Sequence, residues 1–214
     1  MEIKKIGHSC LFVKVKGEDI LIDPGYFTVA DHQLTGLNTI LISHEHKDHF
    51  DLESLQELKK INPQARVITN QAVALVLDEN KIDHQVVSDG EEFMSGFVSI
   101  KAFNLSHSEI YKDRGMVENT GFLIDDKFLF PGDSFSFPTE MVEILALPIT
   151  GPFACMKEVL TAGLQSGAKK IIPVHDGMIK ELYLSIFYKH LEEVLGDDGK
   201  QFVDLRPGAS EEFK

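Results

Sequence analysis

Cysteine, long apolar runs and clusters of basic residues are all scarce in this sequence. The two cysteines, Cys10 and Cys155, lie far apart in apolar segments, which argues against a disulfide framework or a cysteine metal site and predicts two buried free thiols. No apolar run approaches the ~20 residues that span a bilayer. The first residues lack the long apolar stretch of a signal peptide, so we expect a soluble, cytoplasmic protein.

Positive charge is also in short supply. The 214 residues carry 21 Lys and Arg against 34 Asp and Glu, a net charge of −13, and the basic residues cluster no further than pairs such as Lys4-Lys5. This balance weighs against a protein that follows a polyanion such as nucleic acid. The hydrophobic fraction of 43% is ample for a core, and the length allows one large domain or two small ones.

Strand and helix patterns alternate along the chain. Helices are predicted from the N-cap Asp51 to about residue 60, over 71–78, over 155–166 and over 178–195, where Gly196 should stop the last one. Strands are predicted over 2–6, 11–16, 20–22, 66–69, 143–147, 170–174 and 201–205, with a strand-rich middle over 86–130. The pattern alone indicates an α/β or α+β protein.

The densest group of chemically active side chains runs from His44 to His49. Its sequence, His-Glu-His-Lys-Asp-His, directly follows the apolar run 39–42, which predicts a buried strand because it is short and β-branched. Loops at strand ends are where α/β proteins place chemistry, and imidazole with carboxylate suits zinc, iron and manganese. A solvated polar turn is the alternative, but three of the nine histidines of the chain lie in this segment.

Three further polar residues each follow a strand pattern. His107 comes after the alternating stretch 97–103, Asp133 after the hairpin over 121–130, and His175 after the strand over 170–174. Together with the H-x-H-x-D-H motif, this order resembles the metallo-β-lactamase superfamily over nearly the whole chain. The resemblance implies a four-layer αββα sandwich. Because the candidate ligands come from both halves, we expect a single domain over 1–214.

The same resemblance implies a site for two divalent metal ions. It assigns the first ion to His44, His46 and His107, the second to Asp48, His49 and His175, and the bridging position to Asp133. Zinc is expected, with manganese or iron as alternatives, since no thiolate belongs to this set. His46 stands where iron-dependent flavodiiron relatives typically have Glu, and Asp133 where true β-lactamases often have Cys. Both differences favour a hydrolase that does not act on antibiotics.

Four other residues are candidates for a supporting or substrate-binding role. Asp23 either orients a ligand histidine from behind or forms a turn before Pro-Gly. His8 lies in a Gly-His-Ser-Cys stretch similar to lactonase-like and phospholipase D-like relatives, and either rims the site or is an ordinary strand histidine. Lys112 and Arg114, in the segment 108–119, either meet an anionic substrate group or lie in a solvated loop.

The implied chemistry is hydrolysis. Two ions sharing a water molecule would hold it as hydroxide for attack on a small ester, lactone or phosphodiester, and Asp48 would orient this hydroxide or accept the proton that the water loses. The short stretch after His175 has no room for the helical domain of glyoxalase II-like relatives, so a small stand-alone enzyme similar to L-ascorbate-6-phosphate lactonase is expected. The alternatives are a nuclease of the same fold and a non-catalytic metal-binding regulatory protein. We expect a small-molecule substrate and no nucleic-acid or membrane partner, and the oligomeric state stays open.

Overall fold

The computed structural model describes residues 1–31, 34–112, 114, 116–138 and 142–214. The strands in these residues are β1 (Glu2–Gly7), β2 (Cys10–Val15), β3 (Glu18–Ile22), β4 (Thr39–Leu41), β5 (Arg66–Thr69), β6 (Gln85–Val86), β7 (Glu92–Ser95), β8 (Val98–Asn104), β9 (Thr120–Ile124), β10 (Phe128–Phe130), β11 (Ile144–Pro148), β12 (Lys170–Val174), β13 (Gln201–Phe202) and β14 (Ser210–Glu212). The helices are α1 (Leu52–Ile61), α2 (Gln71–Glu79), α3 (Met156–Gln165) and α4 (Glu181–Asp197), and a 3-10 segment covers Tyr26–Asp31.

These strands form two mixed sheets of seven strands each. The first sheet has the order β14-β1-β2-β3-β4-β5-β6, and the second has the order β13-β12-β11-β10-β9-β8-β7. In each sheet, antiparallel strands give way to parallel ones: β3 to β6 are parallel in the first, and β10 to β13 in the second. The carboxyl ends of neighbouring parallel strands therefore meet at the same edge, which is where loops can assemble a site.

The two sheets pack face to face and carry the helices on their outer faces. Buried apolar residues of both sheets fill the space between them, among them Ile3, Leu11, Phe122 and Phe128. Helices α1 and α2 pack on the outer face of the first sheet, and α3 and α4 on that of the second. This arrangement is a four-layer αββα sandwich, so the fold class predicted from the sequence is confirmed.

Side-chain caps determine where the first two helices begin. The Asp51 carboxylate accepts hydrogen bonds from the N–H (3.0 Å) and the hydroxyl (2.7 Å) of Ser54 at the start of α1. Asn70 caps α2 in the same way by accepting the N–H of Val73. Such caps stabilise a helix by about 1 kcal/mol. Because the Asp51 cap sets the start of α1, it also sets the length of the histidine-rich loop between β4 and α1.

The helix predicted over 178–195 is wrong at both ends. Helix α4 begins at Glu181, and Gly196 lies inside it. The helix is terminated by Gly199, whose φ is 77°, because the N–H of Gly199 donates to the Gly196 carbonyl and the N–H of Lys200 donates to the Leu195 carbonyl. This is the Schellman pattern, which requires the left-handed residue after the cap. Packing of Leu195 in the core outweighs the low helix propensity of the neighbouring glycine.

Three smaller expectations also differ from the structure. Only Cys10 is buried as expected, because Cys155 is the exposed N-cap residue of α3. Strand β13 stops at Phe202, since the N–H of Leu205 turns back to the Val203 carbonyl. Strand β14 was not predicted; its three residues are exposed and polar, and pairing with β1 defines it. None of the helices in the described part of the chain has the length and apolar character needed to cross a membrane.

Candidate metal centre

Six strand ends bring the candidate residues to one edge of the sandwich. The loop after β4 carries residues 44–49, and the loops after β8, β10 and β12 carry His107, Asp133 and His175. Strands β1 and β3 end next to His8 and Asp23. All seven residues predicted from the sequence as metal ligands fall into two clusters. Within each cluster the potential ligand atoms lie within 4.8 Å of one another.

The first cluster consists of His44, His46, His107 and Asp133. The centroids of its three imidazole rings lie 4.8, 4.9 and 5.1 Å apart, and the rings are nearly perpendicular. Burial lowers the pKa of His46 and lowers the pKa of His44 further still. Both imidazoles are therefore neutral near neutral pH, which is the form that binds a metal ion.

The second cluster consists of His8, Asp48, His49 and His175. The Nε2 atom of His175 lies 3.1 Å from Oδ2 of Asp48, and the His49 Nε2 atom lies 4.0 Å from that oxygen. Burial alone would lower the pKa of His175, but the Asp133 and Asp48 carboxylates raise it to about 9. Burial also lowers the pKa of His8, here to about 4. Protonated and neutral imidazoles therefore stand side by side in this cluster.

Asp133 lies between the two clusters. Its Oδ1 atom is 3.2 Å from Nε2 of His49, and its Oδ2 atom is 3.1 Å from Nε2 of His175 and 3.6 Å from Nε2 of His107. Burial of this carboxyl would raise its pKa, but the positive charges on His49 and His175 hold the pKa well below its usual range. The ionised carboxylate reaches residues of both clusters, as a bridging ligand must.

Hydrogen bonds on the outer side of the rings decide which nitrogen faces the centre. The buried Asp23 carboxylate lies 2.6 Å from Nδ1 of His49 and accepts a hydrogen bond from the Ser43 hydroxyl. The Ser43 hydroxyl oxygen lies 2.9 Å from Nδ1 of His44, and Nδ1 of His107 lies 2.8 Å from a backbone carbonyl oxygen. Each Nδ1 is therefore placed to donate its proton outwards, and in the neutral ring Nε2 is left with the lone pair that a metal ion needs.

Several inward-facing atoms have no hydrogen-bond partner in the described part of the chain. This is true of the buried Nε2 atoms of His44, His49 and His107, and of Oδ1 of Asp133. An unpaired buried polar atom costs about 1–3 kcal/mol, so several of them gathered at one point indicate a site for a bound ion. A divalent cation fits this set, because imidazole nitrogen and carboxylate oxygen are ordinary ligands for it.

Asn119, which was not predicted as a site residue, connects two of the loops through hydrogen bonds. The Asn119 side-chain amide donates to the carbonyl oxygens of Leu105 and Pro131, and its oxygen accepts the N–H of Asp133. The loop after β8 is thereby fixed to the loop after β10. A Cβ atom on Gly132 would lie 2.0 Å from the Asn119 oxygen, so this contact requires glycine. No local sequence pattern distinguishes Asn119 from an ordinary loop asparagine.

A cavity of about 360 Å³ opens onto both clusters. Its polar lining comes from His46, Asp48, His107, Asp133 and His175, and its apolar lining from Tyr26, Phe27, Ile110, Pro152, Phe153 and Met178. Lys47 also lines the cavity, and its ammonium lies 5.6 Å from the centre of the Tyr26 ring. The apolar walls could not be predicted from the sequence, because the residues that form them come from separate loops with no common periodicity.

Lys112 and Arg114, which were candidates for binding an anionic substrate group, do not line this cavity. They lie in a tight turn in which the N–H of Arg114 donates to the Tyr111 carbonyl and the N–H of Ile110 donates to the Arg114 carbonyl. Both side chains are exposed, and the Lys112 ammonium lies 5.1 Å from the centre of the Tyr111 ring. Residues 113 and 115 of this segment lie outside the described residues. The segment contributes Ile110 to the cavity.

One known family matches most of the chain. The β-lactamase superfamily domain corresponds to residues 2–175. The chain therefore belongs to the metallo-β-lactamase superfamily, and the resemblance inferred from its sequence is confirmed. The narrower similarity to L-ascorbate-6-phosphate lactonase stays a prediction.

Individual relatives extend this similarity over most of the length. A protein of Mycobacterium tuberculosis (strain ATCC 25618 / H37Rv) is 29% identical over 203 residues, which cover 92% of this chain and 94% of the relative. A UPF0173 metal-dependent hydrolase of Alkaliphilus metalliredigens is 28% identical over 192 residues, or 82% of this chain and 85% of the relative. The structure of a metallo hydrolase from the archaeon Ignicoccus hospitalis superposes with a TM-score of 0.76 at 19% identity, covering 100% and 99% of the two chains. This last match shows a shared fold, and the name of the Alkaliphilus metalliredigens relative agrees with the predicted enzyme class.

Proposed function

We propose that this protein is a metal-dependent hydrolase with two divalent ions. The residues that would hold the first ion are His44, His46 and His107, those for the second are Asp48, His49 and His175, and Asp133 would be shared. The observation that carries this proposal is the convergence of buried Nε2 atoms without a hydrogen-bond partner. Zinc is the expected ion, with manganese or iron as alternatives. Because both sheets contribute ligands, we further propose that residues 1–214 act as one domain.

The bound ions would supply the positive charge that activates water and polarises the bond to be cleaved. Asp48 is the residue of the chain best placed to handle that water. Its side chain lines the cavity and is 20% exposed. Burial would raise its pKa, but hydrogen bonds from His175 and His8 lower the pKa below its usual range, so the carboxylate stays ionised. An ionised carboxylate at this position can accept a hydrogen bond from the attacking water, orient it and take up its proton.

The cavity supports a small substrate with an apolar group beside the reacting bond. Its volume is at the lower end of the range for small-molecule sites. The rings of Phe27 and Phe153 and the side chain of Met178 form apolar walls around the polar floor. An ester, a lactone or a phosphodiester with such a group would fit, and the apolar walls favour the neutral ester or lactone.

The same lining argues against a nucleic-acid substrate. Among the described residues that line the cavity, Lys47 is the only Lys or Arg. A nucleic-acid channel needs several Lys or Arg side chains to neutralise phosphates. The net charge of −13 adds to this argument, and we therefore infer a small-molecule substrate.

Metal analysis and a hydrolase panel on the same sample test the proposal. Protein loaded with zinc, manganese or iron should hold close to two ions per chain and hydrolyse at least one lactone, ester, thioester or phosphodiester. His107→Asn should lose about one ion, whereas the matched control His190→Asn, at an exposed position on α4, should keep both. Absence of metal uptake, or a fully loaded protein inactive on the whole panel, would contradict the proposal.

A further inference from the structure

His8 is hydrogen-bonded through both of its ring nitrogens. The backbone N–H of Gly177 donates to Nδ1 at 3.0 Å, and Nε2 lies 3.2 Å from Oδ2 of Asp48. A backbone N–H can only donate, so Nδ1 of His8 must carry a lone pair. The proton of the neutral ring is therefore on Nε2, which donates it to the Asp48 carboxylate.

This polarity is the reverse of that of the ligand candidates. In the neutral form that binds metal, His44 and His49 direct the Nδ1 proton outwards to Ser43 and Asp23 and present the lone pair of Nε2 to the centre. His8 presents an N–H instead, and a protonated nitrogen has no lone pair for a metal ion. Although His8 belongs to the second cluster, we propose that it is a positioning residue that holds Asp48 and does not bind metal.

Two loops from opposite sheets fix the His8 ring in this orientation. The N–H of His175 donates to the His8 carbonyl at 3.1 Å, and the two imidazole centroids lie 4.2 Å apart. A Cβ atom on Gly177 would lie 3.0 Å from the His8 Cβ and 3.2 Å from Nδ1, so any larger residue would push the ring away. His8 and His175 both adopt left-handed backbone conformations, with φ of 50° and 62°. Such strain persists only where surrounding contacts impose it.

The hydrogen bond from His8 holds the Asp48 carboxylate, which is partly open to the cavity, in a single orientation. The His8 side chain is fully buried, whereas that of Asp48 is 20% exposed, so the histidine holds the more exposed partner. A reacting group held in one orientation by a buried hydrogen bond loses less entropy when the water is positioned. This inference rests on the proposed role of Asp48 in hydrolysis.

A pair of substitutions separates the two hydrogen bonds of His8. Asn at this position can still accept the Gly177 N–H but cannot reach Asp48, whereas Gln can place its amide N–H near the former Nε2 position. His8→Asn should keep two zinc ions and an unchanged KM while kcat falls about 10–100-fold, the usual range for a residue behind a ligand. His8→Gln should recover most of kcat. Loss of one zinc ion in His8→Asn would make His8 a ligand, and an unchanged kcat would remove its positioning role.

Nitrogen NMR of histidine-labelled protein tests the proton position without any substrate. Spectra with and without zinc should show His8, assigned from its absence in His8→Asn, with a proton on Nε2 and none on Nδ1. A proton on Nδ1, or a zinc-dependent loss of the Nε2 proton, would overturn the inference. If the wild-type protein hydrolyses nothing in the panel, the proposed function fails, and the spectra still decide whether His8 faces Asp48 as a donor.

Discussion

The two ligand clusters differ in where they keep positive charge. In the first cluster burial lowers the pKa of His44 and His46, so these imidazoles are neutral without metal. In the second cluster carboxylates overcome the effect of burial and raise the pKa of His49 and His175. The imidazoles of His44 and His46 are therefore ready to bind a metal ion, whereas those of His49 and His175 are protonated. Metal binding at the second cluster must therefore displace protons, whereas at the first it need not.

Removing Asp133 should break both clusters at once, with the largest effect of any single change. Asp133→Ala deletes the carboxylate that contacts His49, His107 and His175. We expect most of both metal ions to be lost on dialysis and turnover to fall to background, because each site loses a ligand and the charge between the ions. Elemental analysis and panel kinetics on one sample measure this, with circular dichroism as the control for folding. Wild-type metal content in the variant would show that Asp133 bridges nothing.

Asp48 tests whether the second cluster contributes chemistry in addition to binding. Asp48→Asn preserves the shape of the side chain but weakens the oxygen as a ligand and removes its basicity. We expect hydrolysis to fall by about a hundred- to ten-thousand-fold, the range for loss of a general base. Metal content must be measured on the same sample, so that loss of an ion is not mistaken for loss of catalysis. A variant with two ions and near wild-type rates would leave Asp48 without a role in turnover.

The ligand clusters could be predicted from the sequence, and the rim of the cavity could not. Candidate ligands such as His107 and His175 follow strands, and a strand end is visible in the sequence as the end of an apolar pattern. The apolar walls depend on which loops meet, and Phe27 and Phe153 carry no local pattern that reports this. The misplaced end of α4 has a similar cause, since two glycines stood near its end and only the backbone hydrogen bonds distinguish Gly199 from Gly196. Short-range sequence patterns therefore identify candidate ligand residues better than they identify cavity walls or the ends of helices.

Substitution of Asp23 should have a smaller effect that differs between the two clusters. It accepts from Nδ1 of His49 directly but reaches His44 only through Ser43. Asp23→Asn should therefore weaken metal binding by about 10–100-fold, and more at the second cluster than at the first. Competition with a chromophoric chelator gives the two affinities, and Asp126→Asn, at an exposed turn position, is the matched control. Equal weakening at both sites would mean that the Ser43 relay is as effective as the direct bond.

The smallest expected effect is a pH dependence confined to the metal-free protein. The pKa of His175 is raised from 6.5 to about 9, so its protonation stabilises the fold fully below pH 6.5, and this stability is lost as the pH rises through 9. Each 1 kcal/mol lost lowers Tm by about 2–4 °C in a chain of this size. Chelator-treated protein should therefore melt several degrees lower at pH 9.5 than at pH 6.5. Metal-loaded protein should lack this decline, because the ions supply the positive charge that the protons otherwise provide. Parallel Tm curves for the two forms would show that His175 carries no compensating proton, and the contrast between the clusters would then fail.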